Sequence, residues 1–205
     1  MTITHHPSDM TLAAFAAGTL DAGRALVVST HLAACPACRR VARSFERVRG
    51  IALEDAAPLS LAPDALDRAL REISADTTLP AGGGVRDPLS AYPLGDWRRI
   101  GAGLRWRSVG VPAERGTRVF MLKAAPGTRI PHHAHAGIEW TCVLQGAFRH
   151  QLGHYGAGDF DEADETVDHK PVVEEGVECI CLVALQGQIQ LKSWAGRLMQ
   201  PFVRI

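Results

Sequence analysis

Two groups of residues in this 205-residue chain have the types and spacing to hold a metal ion. The first lies in HLAACPAC, where His31 and Cys35 stand four apart and Cys38 three further on. Residues four apart on a helix share a face, so His31 and Cys35 can reach one ion. Cys38 follows in a CPAC turn near the start of the next helix, where free backbone N–H groups favour a thiolate. Together they supply three corners of the tetrahedron that structural zinc prefers, with sulfur at ~2.3 Å and imidazole nitrogen at ~2.0 Å. The fourth corner must come from elsewhere, and the other histidines before residue 80 are the adjacent His5 and His6. A thioredoxin-like redox pair is the first alternative, but it belongs in a βαβ setting and nothing strand-like precedes CPAC. Small buried thiols beside a surface histidine are the second.

The other group lies in GTRIPHHAHAGIEWTCVLQG. From Gly127 it runs through His133, His135 and Glu139 to Gly146. Alternate residues of a strand share a face, so His133 and His135 point the same way, and a turn can bring Glu139 round to join them. A later strand should add a fourth ligand. His169 in VDHKP is the candidate, carried over the mouth of the site by the acidic loop GAGDFDEADETVD. His132, His150 and His154 lack the alternating geometry and read as surface or satisfied core histidines. Cys179 and Cys181 in ECIC face one side of a strand, the same side as Cys142 on this reading. They suit core packing, with a redox-active thiol pair as the alternative.

The elements that must position these groups divide into two kinds. Up to about residue 75 the period is helical. Ser8 caps a first helix from Asp9 to Ala17, ended by Gly18, and Asp21 caps a second from Ala22 to Ala34. Pro36 suits the first position of a third, which carries Val41, Phe45 and Val48 on one stripe. Pro63 opens a fourth, PDALDRALREI, with Leu66, Leu70 and Ile73 along one side. Four short helices bury little, so a metal staple suits this half. From Asp76 to Gly95, Gly and Pro break every period and suit a flexible connection. Beyond it, RVFMLKAAPG, EWTCVLQGAFRH, ECICLVALQG and QIQLKSW read as separate strands of a compact β-barrel or sandwich. The expected fold is therefore two domains, a small all-α helical zinc domain at residues 1–80 and an all-β domain at 96–205, joined by a linker at 81–95.

Bulk properties exclude several functions. Lys plus Arg and Asp plus Glu each total 22, and residues 1 to 80 hold eight basic and nine acidic side chains, so neither half has the field of a nucleic-acid or anionic-membrane binder. The arginines at 39, 40, 43, 47 and 49 read as a solvated helix face rather than a DNA-binding surface. No apolar run approaches the ~20 residues of a membrane span, and MTITHHPSDM lacks the basic start and apolar core of a secretion signal. We expect a cytoplasmic protein, whose five cysteines are thiols or metal ligands rather than disulfides.

The spacing from Gly127 to Gly146 resembles the first motif of the cupins, over most of residues 100 to 195. That resemblance implies a small antiparallel β-barrel with one divalent metal on three histidines and a glutamate. The order of the two groups on one chain, HLAACPAC and then HAHAGIE, VDHKP and ECIC, is similar to that of the ChrR-type zinc-binding anti-sigma factors. This second resemblance spans nearly the whole chain. It implies one zinc on His6, His31, Cys35 and Cys38, selecting His6 over His5, and a second zinc on His133, His135, Glu139 and His169. It further implies a helical domain that sequesters an extracytoplasmic-function sigma factor, with the fourth helix inserted between the sigma domains. The cupin domain would then sense singlet oxygen or organic hydroperoxides. The main alternative is a cupin metalloenzyme, a dioxygenase or hydrolase with a helical appendage, since the same donors can hold iron or manganese.

Overall fold

A computed structural model describes residues 2–75, 87–112 and 116–191, apart from the side chains of Ala75, His135 and Leu191. Helices α1 (Asp9–Ala16), α2 (Ala22–Ala34), α3 (Pro36–Glu54) and α4 (Ala65–Ala75) come first. The Ser8 hydroxyl accepts the N–H of Thr11 and the Asp21 carboxylate that of Arg24, so both expected caps form. Pro36 opens α3 where its missing N–H costs nothing. α4 begins at Ala65, two residues after the proline expected to open it, because Pro63 and Asp64 form a turn.

Ten strands follow: β1 (Arg98–Gly101), β2 (Leu104–Ser108), β3 (Thr117–Ala124), β4 (His133–Gln145), β5 (Ala147–His150), β6 (Gly153–Gly156), β7 (Phe160–Ala163), β8 (Asp168–His169), β9 (Val172–Val173) and β10 (Cys179–Leu191). All their pairings are antiparallel. The larger sheet has the order β1-β2-β3-β10-β4-β7, with β8 also on β4, and the smaller the order β6-β5-β9.

Several expectations change. The segment ECICLVALQGQIQL is one strand, β10, rather than two broken at Gly187. Gly187 is the register partner of Gly137 in β4, and a Cβ on it would lie 1.9 Å from the Ala136 carbonyl oxygen, so the pair of glycines admits a close crossing instead of a turn. The acidic segment 156–168 is not a loop over the barrel mouth: β7 runs through it, and Asp159 and Asp161 are buried. Within the stretch read as a flexible connection, residues 76–86 lie outside the described residues. Residues 88–91, however, form a 3-10 turn capped by Asp87, with Leu89 buried.

The barrel interior holds Leu104, Phe120, Val143, Phe148, Val173, Cys181, Val183 and Leu185. Period-2 alternation sends the intervening residues Val119, Met121, Trp140, Cys142, Leu182 and Ala184 to the outer face of the large sheet. That face is not open. Leu12 of α1 and Leu26, Val27, Val28 and Leu32 of α2 pack into the same cluster, each side chain contributing about 2 kcal/mol when fully buried. The helices therefore complete their thin core with the sheet. Thr117 donates a hydrogen bond to Asp21 at 3.1 Å, and the Arg24 guanidinium lies 5.4 Å above the Trp140 ring, tying the start of α2 to β3 and β4.

Cys142 is thus on the opposite side of the sheet from Cys179 and Cys181, contrary to the expectation that all three share a side. It is the register partner of Leu182, one residue out of phase with Cys181.

Candidate metal centres

At the helical centre, α2 carries His31 in its last turn, Cys35 ends α2 and precedes Pro36, and Cys38 sits in the first turn of α3. The N-terminal segment, hydrogen-bonded through Thr4 and His5 to Asp159 and Phe160, delivers His6. One donor atom from each of His6, His31, Cys35 and Cys38 lies within 4.8 Å of the others. His6 Nδ1 is 3.3 Å from Cys38 Sγ and 3.6 Å from Cys35 Sγ. His5 turns the other way, its ring tilted against that of Tyr155 of the barrel at 4.2 Å between centroids. Adjacent residues of an extended chain face opposite sides, which separates the two histidines.

His31 is fully buried, and its two nitrogens differ. Nδ1 lies 2.8 Å from the Gly158 carbonyl oxygen and must donate to it, which leaves a lone pair on Nε2. Nε2 has no hydrogen-bond partner among the described residues. Burial, and next the His6 ring, lower the His31 pKa to about 4 against the pull of the Gly158 carbonyl, so the ring is neutral at neutral pH. A buried lone pair facing two sulfurs and an imidazole fits a tetrahedral metal ion, and the carbonyl on the far nitrogen is the usual orienting partner of a ligating histidine. Burial pushes Cys38 up to about 12, with its hydrogen bond to Cys35 adding to this, so an incoming cation must displace its proton.

The second centre lies in a cavity of about 550 Å³ in the barrel, lined mainly by apolar side chains such as Trp106, Phe120, Leu122 and Ile189. His133, Glu139 and His169 meet in it, with their donor atoms within 4.8 Å of one another. No turn brings Glu139 round: β4 is continuous, and residues an even number apart on one strand already share its face. His135 has the same parity and faces Ile189 in the register, but its side chain lies outside the described residues. His169 is brought in by β8, as the register partner of His133.

Sequence reasoning missed His150 and Asp161. His150 Nε2 is 3.2 Å from Asp161 Oδ2, both side chains are buried, and with His169 they form a second group of donors within 4.8 Å. The His150, Phe148 and Tyr155 rings form a near-parallel cluster, with His150 5.7 Å from Phe148 and 4.9 Å from Tyr155 between centroids. It ends β5, outside the HAHAGIE segment, so only the pairing of β5 with β6 and the closure of the barrel place it here. His132 and His154 behave as expected, lying at the surface beside the carboxylates of Asp168 and Glu174.

Cys179 and Cys181 also line the cavity, with their sulfurs 3.7 Å apart. The hydrogen bond between them pushes Cys181 up, with burial adding to it, and draws Cys179 down against burial. Cys179 is therefore the more easily ionised of the two.

The profile of a ChrR cupin-like domain matches residues 94–189, and that of a putative zinc finger matches residues 11–39. The anti-sigma-E factor ChrR of Cereibacter sphaeroides is 38% identical over 215 residues, covering 100% of both chains. The chain belongs to the ChrR family of anti-sigma factors. A crystal structure of Rhodobacter sphaeroides SigE in complex with the anti-sigma ChrR superposes with a TM-score of 0.75 at 38% identity, covering 90% of this chain and all of that one. The ChrR relative aligned end to end is an anti-sigma factor rather than an enzyme. No helix among the described residues is long and apolar enough to cross a membrane.

Proposed function

We propose that this ChrR-family chain sequesters an extracytoplasmic-function sigma factor and releases it under oxidative stress, with one zinc ion in each half. The observation that carries the first part is the end-to-end likeness to a ChrR whose crystal structure is a complex with SigE. The surface supplies what such a clasp needs. Leu66, Leu70 and Ile73 of α4 are all more than half exposed, as are Val48, Ile51 and Leu53 at the end of α3. An amphipathic helix that leaves its apolar stripe in water is suited to a groove on a partner. Residues 1–80 act as the clasp, 81–95 as the linker and 96–205 as the sensor.

Zinc on His6, His31, Cys35 and Cys38 holds the N-terminal segment, α2 and α3 together. In the barrel, His133, His135, Glu139 and His169 hold the second ion and His150 with Asp161 flanks it. Zinc has no redox chemistry of its own, so singlet oxygen or an organic hydroperoxide acts on ligands or on the neighbouring thiols, or binds at the metal. Release follows only if the altered barrel changes the affinity of the clasp for sigma.

Co-expression of the full chain with extracytoplasmic-function sigma factors tests the clasp. The unmodified chain should copurify with one of them, and Leu66→Glu with Leu70→Glu should abolish this while the zinc content stays constant. Retention of sigma by the double variant overturns the role of α4. Replacing His133 and His135 with alanine should abolish induction by oxidant, and unchanged induction overturns the sensing role of the barrel metal.

A further inference from the structure

Between β6 and β7 the chain passes from one metal centre to the other within four residues. The Gly158 carbonyl holds His31 Nδ1 at 2.8 Å. Asp159 Oδ1 accepts the backbone N–H of Thr4 at 2.6 Å and of His5 at 2.9 Å, immediately before His6. The Phe160 N–H donates to the His5 carbonyl at 3.1 Å, and its ring meets the His31 ring edge-on at 5.7 Å. Asp161, the next residue, points through the sheet to the other side, where it pairs with His150 and lines the cavity. The segment is itself held. Gly158 N–H donates to the Val143 carbonyl, Val143 N–H to that of Asp159, and Gly156 N–H to Asp159 Oδ2.

We propose that Gly158–Asp161 is a positioning segment of the barrel for the helical metal centre. It fixes His31 and the approach of His6, and it transmits displacements of the cavity wall at Asp161 to that centre. This rests on the helical centre binding metal, as proposed above.

Two further features fit a rigid strut rather than a casual contact. Gly158 has φ +92°, and a Cβ there would lie 2.7 Å from Ile3 Cδ1 and 3.6 Å from Ala34 Cβ, so the turn is pressed between the N-terminal segment and α2. Burial opposes ionisation of Asp159, yet the N–H groups of His5, Gly156 and Thr4 outweigh it and keep the carboxylate charged. A charged acceptor makes the stronger kind of hydrogen bond to those amides. Because successive side chains of a strand face opposite sides, a shift of β7 that moves Asp161 must also move Phe160 and the turn before it.

Cobalt separates the two centres. Sulfur-to-cobalt charge transfer arises only where cysteine ligates, so titrating the zinc-free full chain with Co²⁺ and following that band reads the helical centre alone. Asp159→Ala should weaken Co²⁺ binding there by about tenfold, the lower range for loss of an orienting partner, and Asp159→Asn, which keeps the acceptor oxygen, should restore most of it. Asp161→Asn alters the carboxylate that faces His150 and Tyr155 and touches no ligand of the helical centre, yet should change the same affinity by about threefold or more, the effect of roughly 0.7 kcal/mol of coupling. Affinity within twofold of the unmodified chain for either Asp159→Ala or Asp161→Asn overturns the proposal. If Asp159→Ala does not fold, amide exchange of the unmodified chain decides. Loading the barrel with metal should slow exchange at Thr4 and His5, and unchanged exchange overturns the proposal. A chain that shows no charge-transfer band at all removes the helical metal site itself, a result distinct from a normal band indifferent to these variants.

Discussion

Nε2 of His133 lies 2.9 Å from Nε2 of His169, across the register pair that joins β4 to β8. His133 Nδ1 is 2.7 Å from the Pro131 carbonyl oxygen and donates to it, so in the neutral ring Nε2 presents a lone pair. With Glu139 beside them, the two rings converge on a point inside the barrel as ligands of a shared cation do. His169→Ala should therefore lower bound zinc from about two equivalents to about one, leaving the thiolate-ligated ion in place. Metal analysis with and without thiol-blocking reagent checks which ion is lost.

The helical centre should load metal less readily in acid. Cys38, pushed up to about 12 by burial, carries its proton throughout the neutral range, and binding must expel it. The apparent dissociation constant should rise at least about tenfold for each pH unit lost between pH 8 and 6, one proton's worth of linkage. Competition with a chromophoric chelator across that range measures the slope.

Without metal, His31 makes the fold acid-sensitive. Its pKa falls from 6.5 unfolded to about 4 folded, so the unfolded chain binds the proton more readily. The stability this provides is fully present above pH 6.5 and is lost as pH falls towards 4. The loss should reach about 3 kcal/mol, from 1.36 kcal/mol per pKa unit. Urea unfolding of the metal-stripped chain between pH 7 and 4 should show that decline, and His31→Gln should flatten it.

The seat of α2 on the sheet is tight at Gly23. A Cβ there would lie 2.8 Å from Val119 Cγ2 and 2.9 Å from Thr117 Cγ2. Gly23→Leu should prise the helix from β3 and destabilise the chain by about 1–3 kcal/mol, the usual range for overpacking. A Cβ on Gly50 would meet nothing within 4 Å, so Gly50→Ala should be neutral or slightly stabilising. Thermal unfolding of the two variants side by side makes the comparison.

The local rules reached far along this chain. Ser8 and Asp21 as caps, Pro36 at a helix start and the i, i+4 pairing of His31 with Cys35 depend only on neighbouring residues, and so all could be read before any fold was known. The parity of His133 and Glu139 was also legible, although a turn was expected where an unbroken strand suffices. His150 could not be found this way, because it meets Asp161 and His169 through the pairing of strands distant from HAHAGIE.

By itself, then, the sequence determined the candidate ligands of HLAACPAC and HAHAGIE and the helices and strand that carry them, since hydrogen bonding and side-chain period operate over a few residues. Only the tertiary structure decided that α2 shares a hydrophobic core with the outer face of the sheet, that Cys142 is separated from Cys179 and Cys181, and that Gly158 reaches His31 across 127 positions of chain. Those relationships arise when two apolar faces, each too small to exclude water alone, cover one another, and no short-range pattern records which faces will meet.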